Sequence, residues 1–270
     1  HQCDRRQRQM CIRDSHKLKG LPPVYVINLD GEPHRWESVR SMLEYWEVDH
    51  TRISAYDGRD DDLSDILKGR YPDSMTGGEV GCTTSHLKAM KEFLKTDAPC
   101  AIIMEDDCDI NTVSHWGFTW KDFYAKMPYD YDVIQLAIIN PAQVYVQLHR
   151  RFVNDFSTAC YMITRHHAEK LVRLHCRGED KYKLDQGVLP RAVADDLIYN
   201  SGNTFSIPLF LYKLALGSSI HGEHIEVFHK TSFEGLWHFW KTESPNITDW
   251  NSLFSYDPYF NRIPPGFEGK

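Results

Sequence analysis

The sequence lacks any apolar run long enough to cross a membrane as a helix. Its longest apolar runs, for example those at 101–104 and 133–139, have the length of a strand instead. A stripe of Lys and Arg is missing as well, and the net charge is −7 at pH 7. Because phosphate backbones attract basic faces, this charge disfavours a nucleic-acid partner. We therefore expect no transmembrane segment and no binding of nucleic acid.

The usual zinc-site and disulfide patterns are also missing. None of the seven cysteines forms a CxxC pair, and no HExxH motif occurs. Five cysteines lie in the body of the sequence, an odd number, and three of these lie in or beside apolar segments: Cys100, Cys108 and Cys160. We interpret them as buried free thiols of a reducing compartment, which predicts a cytoplasmic location.

The first 16 residues differ from the rest of the chain. They show no apolar periodicity and lack the hydrophobic stretch of a secretory signal peptide, so we interpret 1–16 as a disordered extension or a sequence artefact. The remaining residues, 17–270, are predicted to form a single domain. A chain of 270 residues that is 41% hydrophobic can bury a large core.

Patterns typical of strands and helices alternate over residues 1–175. Helices are predicted at 36–46, 76–95 and 165–175, and a capping box of Thr76 and Glu79 opens the second of them. The predicted strands lie at 24–30, 51–55, 100–104, 132–139 and 159–163. This alternation indicates an α/β fold with a mainly parallel sheet and helices on both faces. The last 50 residues are predicted to be loops and short helices.

Three acidic residues, Glu105, Asp106 and Asp107, directly follow the apolar run at 100–104. Ligands of open α/β sheets bind beyond the carboxyl ends of the strands, and carboxylates there can hold a hard divalent cation. Such a cation neutralises charge on a departing diphosphate. An acidic turn on the surface is the alternative, but like charges crowded at a strand end favour a bound cation.

Five blocks of the sequence resemble the family 25 glycosyltransferases, which include lipooligosaccharide and collagen-type galactosyltransferases and viral relatives. The blocks occur in the order typical of that family and run from about Val24 to about Ser219. They are VINLD at 26–30 with Arg35 following, TRISAYDGRD at 51–60, TGGEVGCTTSHLKAMKEFL at 76–94, AIIMEDD at 101–107 and TACYMITRHHAEKLV at 158–172.

The resemblance implies a GT-A fold, a Rossmann-like sheet with an Asp-x-Asp-type metal motif. It also implies a UDP-sugar donor, Mn²⁺ (or Mg²⁺) as the cofactor, and a role in glycan or lipopolysaccharide biosynthesis. Glu105 and Asp107 would take the outer positions of the motif as metal ligands, and Asp106 would accept a hydrogen bond. A late histidine would complete the metal shell, and we assign this role to His221, near His224 and His229.

Further residues are candidates for binding the nucleotide sugar. Asn28 and Asp30 lie where a uridine could sit, and Arg35 could approach a phosphate, although a surface role fits Arg35 equally well. Cys82, Ser85, His86 and Ala89 share one helical face of small and polar groups beside Gly81, which would let a ligand approach. Hydrogen bonds inside the core are the alternative for Ser85 and His86.

An inverting transferase needs one carboxylate to take the proton of the acceptor hydroxyl. Asp195 and Asp196 are the preferred candidates for this catalytic base, with Asp185 as the comparison. The alternative is a helix cap or a surface pair ahead of a strand at 197–199.

We therefore expect a metal-dependent glycosyltransferase that moves a sugar from a UDP-sugar to a hydroxyl of a glycan or glycoconjugate, with inversion. One alternative is a catalytically inactive domain of the same fold that binds nucleotide or glycan. A second alternative is a metal-dependent phosphohydrolase, which would release phosphate without a sugar acceptor.

Overall fold

The computed structural model describes residues 14–59, 62–70, 72, 74–140, 145–184, 192–214 and 229–256. Within these residues, seven strands form one sheet in the order β2-β1-β3-β7-β5-β8-β6, and β4 pairs with β9 in a two-stranded sheet. The strands are β1 (Val24–Asn28), β2 (His50–Ser54), β3 (Cys100–Glu105), β4 (Cys108–Asp109), β5 (Val133–Gln135), β6 (His149–Arg150), β7 (Cys160–Thr164), β8 (Thr204–Ser206) and β9 (Leu211–Tyr212).

The large sheet is mostly parallel. Strand β1 pairs in parallel with both β2 and β3, and β5 pairs in parallel with β8. Strand β7 lies between β3 and β5 and is antiparallel to both, while β6 is antiparallel to β8. Because β7 runs the other way, the residues that precede it meet the carboxyl ends of the parallel strands.

Seven α-helices occur in the described part of the chain: α1 (Pro33–Tyr45), α2 (Gly77–Phe93), α3 (Trp120–Tyr124), α4 (Arg165–His175), α5 (Ala194–Tyr199), α6 (Lys230–His238) and α7 (Asn251–Phe254). Pro33 occupies the first turn of α1, where its missing N–H costs nothing. The predicted capping box is confirmed at the start of α2, because Thr76 and Glu79 each bind the other's backbone N–H.

Helices cover both faces of the sheet, as predicted. Alternate residues of each strand point to opposite faces, so two hydrophobic clusters form. Val26 of β1 packs in one cluster with Leu43 of α1. Its neighbour Ile27 packs in the other cluster with Leu87 of α2 and Leu171 of α4.

The structure corrects three details of the predicted elements. Residues 197–199, considered as a strand, are the second half of helix α5, since a three-residue apolar run does not distinguish the two. The strand predicted at 132–139 ends at Gln135. The predicted extension ended at residue 16, but Ser15–Leu18 form a 3₁₀ turn whose Leu18 is buried. Residues 1–13 lie outside the described part.

No helix in the described residues is long and apolar enough to cross a membrane. All five cysteines in that part of the chain are free thiols. Burial raises the pKa of the Cys82 and Cys108 thiols well above the ordinary value, so neither is an activated nucleophile.

Candidate functional site

A cleft opens at the carboxyl ends of β1, β2 and β3. Helix α2 forms one wall, and the turn after β2 forms another. The cleft is lined by Ile27, Asn28, Leu29, Arg35, Ala55, Tyr56, Asp57, Gly58, Arg59, Gly78, Cys82, Ser85, His86, Glu105 and Asp106. Six of the candidate site residues therefore meet at one place, although they lie up to 78 positions apart: Asn28, Arg35, Ser85, His86, Glu105 and Asp106. Asp30, Gly81, Asp107, Asp195 and Asp196 do not line this cleft.

Asp106 is buried and fully engaged with residues of the first strand and helix. Asn28 Nδ2 donates to its Oδ2 at 2.7 Å, and Arg35 Nε donates to its Oδ1 at 2.7 Å. The Arg35 Nη2 also lies 2.5 Å from Asp106 Oδ1 and 3.5 Å from Asp107 Oδ2. The hydrogen bonds hold the acidic turn against β1 and α1, and they leave Asp106 little capacity for a cation.

Asp107 differs from Asp106 in its hydrogen bonding and in its pKa. Its Oδ1 is buried and accepts no hydrogen bond from any described residue. Burial and the nearby charge of Glu105 raise the pKa of Asp107 to about 7, although Arg35 acts in the opposite direction. A buried carboxylate oxygen without a donor is costly unless a cation lies beside it. Asp107 therefore fits the direct metal ligand that the sequence predicts.

Glu105 ends β3 and contacts two neighbours inside the cleft. Thr158 Oγ1 donates to Glu105 Oε1 at 2.7 Å, and His86 Nε2 lies 3.5 Å from the same oxygen. Burial acts to raise the pKa of Glu105, but His86 and Thr158 hold it below its ordinary value. Glu105 is thus an anion at neutral pH, with an oxygen facing the cleft.

Asn28 and Asp30 are linked by a basic residue that the sequence analysis did not identify. Arg52 donates from Nε and Nη2 to Asn28 Oδ1 at 3.0 and 2.7 Å, and from Nη2 to Asp30 Oδ1 at 2.7 Å. Ser54 donates to the other Asp30 oxygen at 2.7 Å, and these bonds lower the pKa of Asp30. Both the oxygen and the nitrogen of the Asn28 side-chain amide are consequently occupied by protein partners.

Helix α2 approaches the turn after β2 at a glycine. A Cβ on Gly81 would lie 2.5 Å from Tyr56 O and 3.0 Å from Gly58 N, so only glycine permits this contact. Ser85 accepts the Tyr56 N–H at 2.9 Å and donates to Gly81 O at 2.6 Å. Gly81 and Ser85 thus build the wall of the cleft from behind.

Asp195 lies in the first turn of α5, near Glu105 and the segment ahead of β7. Its Oδ1 accepts the backbone N–H of Ser157 at 2.7 Å. Burial raises the pKa of Asp195 to about 6, while Arg151 and the Ser157 N–H oppose this shift. Asp196 instead accepts from its neighbour Asn200 at 3.0 Å on the exposed side. The two adjacent carboxylates therefore have different surroundings.

Ser157 has a positive φ of 95°, which is uncommon for a residue other than glycine. Its carbonyl accepts from Gln135 Nε2 at 2.9 Å and from Tyr199 Oη at 2.8 Å. These bonds hold the strained residue beside Asp195, and its neighbour Thr158 beside Glu105. Sequence reasoning missed the roles of both residues, because the antiparallel direction of β7, which brings them to the cleft, cannot be read from its apolar run.

Two of the predicted residues cannot be placed. His221 and Asp185 lie outside the described residues, as does His224. Ahead of 215–228, Lys213 N donates to Asp107 O at 2.8 Å; after it, His229 O accepts from Tyr212 Oη at 2.6 Å.

Comparison with known proteins gives one family. The family model described as "Glycosyltransferase family 25 (LPS biosynthesis protein)" matches residues 21–186. A "Glycosyltransferase 25 family member" of Aedes aegypti is 32% identical over 100 residues, which are 33% of this chain and 16% of that protein. A "Probable inactive glycosyltransferase 25 family member 3" of Rattus norvegicus and an "Inactive glycosyltransferase 25 family member 3" of Mus musculus have the same identity over 33% of this chain and 17% of theirs. The chain therefore spans about a sixth of the length of these curated relatives.

Proposed function

Because this chain belongs to glycosyltransferase family 25, we propose that it transfers a sugar from a UDP-sugar to a hydroxyl of a glycan or glycoconjugate with the help of a divalent metal ion. The observation that carries the proposal is the buried Asp107 Oδ1, which accepts no hydrogen bond from the described residues and belongs to the turn directly after β3, next to the cleft residues Glu105 and Asp106. The mostly parallel sheet with the acidic turn at its carboxyl edge supports a GT-A assignment.

Glu105 and Asp107 would hold Mn²⁺ or Mg²⁺, since both offer hard oxygen ligands and Asp107 Oδ1 accepts no hydrogen bond from the described residues. When bound, the cation supplies positive charge that stabilises the departing diphosphate. Asp106 keeps the turn in place through Asn28 and Arg35, so these three act mainly by positioning. His221 remains the proposed further ligand, and the metal affinity of His221→Ala tests it.

The donor nucleotide would occupy the cleft between α2 and the turn after β2. Tyr56, Asp57 and Arg59 line this cleft opposite the acidic turn. Arg59 is paired with Asp57 at 2.6 Å and with Glu32 at 3.2 Å. A nucleoside diphosphate can compete for this guanidinium because guanidinium groups match phosphate oxygens geometrically.

Asp195 is the proposed base, and Asp196 the second choice. A base works best when its pKa lies close to the working pH, and the pKa of Asp195 is raised to about 6. Its second oxygen would take the proton of the acceptor hydroxyl as the new glycosidic bond forms on the opposite side from the departing UDP. The Ser157 N–H and the nearby Arg151 would stabilise the carboxylate before the transfer.

Binding without turnover is the second candidate, because two of the relatives are named inactive or probable inactive. A screen of UDP-sugars with Mn²⁺ and simple sugar acceptors separates the two. Release of UDP together with a glycosylated product supports transfer. Tight UDP–Mn²⁺ binding with no product from any donor would instead support a binding domain. Free cysteines in the described residues support the further proposal of a cytoplasmic location.

A further inference from the structure

Three side chains of different chemistry meet inside the cleft. The Cys82 Sγ, a ring nitrogen of His86 and a carboxylate oxygen of Glu105 lie within 4.8 Å of one another. Cys82 and His86 are one turn apart on the same face of α2, and Glu105 approaches them from the end of β3. All three line the cleft, so a small ion can reach them from solvent.

His86 is held in one orientation and has an unused nitrogen. The side chain is 1% exposed, and its Nδ1 lies 3.0 Å from the Tyr161 hydroxyl. Its Nε2 is buried without a hydrogen bond from the described residues, and the nearest charged atom is Glu105 Oε1 at 3.5 Å. When Nδ1–H donates to Tyr161, the Nε2 lone pair faces the space between Glu105 and Cys82. Histidines that bind metals typically donate their other ring N–H in this way.

We propose that Cys82, His86 and Glu105 form a binding site for a thiophilic divalent cation, with Zn²⁺ as the best fit, and with the fourth position open to the cleft. Sulfur, imidazole nitrogen and carboxylate oxygen together suit zinc, whereas Mn²⁺ and Mg²⁺ prefer ligand sets made mainly of oxygen and bind a thiolate poorly. Bonds of about 2.0–2.3 Å in a tetrahedron place ligand atoms roughly 3.5 Å apart. His86 Nε2 and Glu105 Oε1 already have this separation, and the thiol, which lies within 4.8 Å of both, needs to approach them by at most about 1.3 Å.

This zinc site differs from the proposed hard-cation site because Asp107 does not belong to it. The two sites share Glu105, so they exclude each other. Zinc would take Glu105 away from the hard cation and place a second positive charge in the cleft, which predicts inhibition of transfer by zinc in the presence of Mn²⁺. This consequence for activity rests on the proposed function, but the binding of zinc does not.

Cobalt provides a direct test, since a Co²⁺–thiolate bond gives an intense near-ultraviolet absorption band. The whole metal-free protein is titrated with Co²⁺ alone, and Zn²⁺ is then added to displace it. We expect one thiolate band that Zn²⁺ removes and an equal concentration of Mn²⁺ does not. Cys82→Ser and Cys82→Ala should lose the band while keeping the circular dichroism spectrum of the fold.

Two further variants separate a direct ligand from its supporting residue. His86→Gln should weaken zinc binding by more than the roughly 10–100-fold expected for losing an outer-shell partner, and Tyr161→Phe should fall within that range. Cys176→Ser is the matched control, because Cys176 is also a half-buried free thiol but does not line the cleft. It should bind both ions normally.

Persistence of the cobalt band in both Cys82 variants, or absence of the band in the unmodified protein, would overturn the proposal. Asp107→Asn distinguishes this failure from a failure of the proposed function. It should keep the cobalt–thiolate band whether or not transfer depends on Asp107, since no nucleotide sugar or acceptor is present in the titration.

Discussion

Arg35 binds Asp106 in a buried ion pair in which both Nε and Nη2 reach one carboxylate oxygen, at 2.7 and 2.5 Å. The side chains are 11% and 8% exposed, so neither charge is well solvated. Asn28 occupies the other oxygen of Asp106. The pair joins the start of α1 to the turn after β3, and it sets the place of Asp107 one residue later.

Removing one partner of this pair should destabilise the fold. Arg35→Ala leaves the Asp106 charge buried with only Asn28 beside it, which should lower the free energy of unfolding by about 3–5 kcal/mol. Urea unfolding at pH 7 measures this loss. The Arg35→Ala/Asp106→Ala double variant should recover part of it, because no unpaired charge remains. Arg40→Ala, which breaks only exposed pairs with Glu37 and Glu44, should change the stability little. Equal effects at Arg35 and Arg40 would contradict the buried-pair interpretation.

Loss of the carboxylate of Asp107 should remove transfer while the protein remains folded. A metal ion contributes several kcal/mol to charge stabilisation, so Asp107→Asn should lower kcat/KM by at least about 10³-fold. UDP–Mn²⁺ affinity, measured by calorimetry, should fall with it. Asp109→Asn is the control two residues later, because its side-chain oxygen can still accept the Asn111 N–H. Near-normal turnover by Asp107→Asn would refute the metal assignment.

Asp195→Asn should separate catalysis from stability. The variant should lower kcat by about 10²–10⁴-fold with little change in donor affinity, as expected for loss of a general base. Asp196→Asn, whose carboxylate bonds only to the neighbouring Asn200 among its described hydrogen bonds, should be much less affected. Full activity of Asp195→Asn would show that Asp195 is not the base and would leave Asp196 and Asp185 as the candidates.

The same Asp195 variant should be more stable than the parent protein at neutral pH. The folded protein raises the pKa of this carboxyl from 3.8 to about 6, so its contribution to stability is most favourable below pH 4 and is lost as the pH rises through 6. Asn removes this loss and still accepts the Ser157 N–H. Thermal unfolding should therefore show a gain of about 1–3 kcal/mol above pH 6.5 that disappears near pH 4. A gain that does not vary with pH would contradict the assignment.

A single methyl group at Gly81 should disturb the cleft. Alanine favours helices, but the added Cβ would lie 2.5 Å from Tyr56 O, so Gly81→Ala should cost about 1–3 kcal/mol and weaken nucleotide binding. Gly235→Ala is the matched control in helix α6, since nothing lies within 4 Å of its added Cβ. It should stabilise the protein by about 0.5–1 kcal/mol. Thermal unfolding should show that the free energy of unfolding falls in Gly81→Ala and rises in Gly235→Ala. Stabilisation by Gly81→Ala would disprove the close contact.

The sequence predicts features that depend on neighbours in the chain. Thr76 and Glu79 form their capping box across three residues, and the acidic turn follows its strand directly. Hydrogen bonds between residues far apart in the chain are not predicted by local patterns. The Arg52 bridge to Asn28 spans 24 positions, and the Thr158 bond to Glu105 spans 53. Neither residue belongs to a local pattern, so their roles emerge only once the sheet brings the strands together.

Residues 197–199 show a second limit of prediction from sequence, because a short apolar run does not define its secondary structure. Three apolar residues fit a strand and a helix equally well, and packing against α2 decides between them. The distinction between Asp195 and Asp196 has the same origin. Both are acidic residues in one helical turn, and only the position of Ser157 on one side makes them unequal.

The reversed direction of β7 determines which segment of the chain should differ between family members that use different acceptors. Parallel strands contribute to the cleft through the residues that follow them, but β7 contributes through the residues that precede it, as Thr158 does. Changes of acceptor preference should therefore concentrate in the connection that leads into this strand, between 150 and 158. Under the proposed function, exchanging 151–157 between family members while keeping Thr158 should alter which hydroxyl is presented to Asp195 and preserve the hydrogen bond from Thr158 to Glu105.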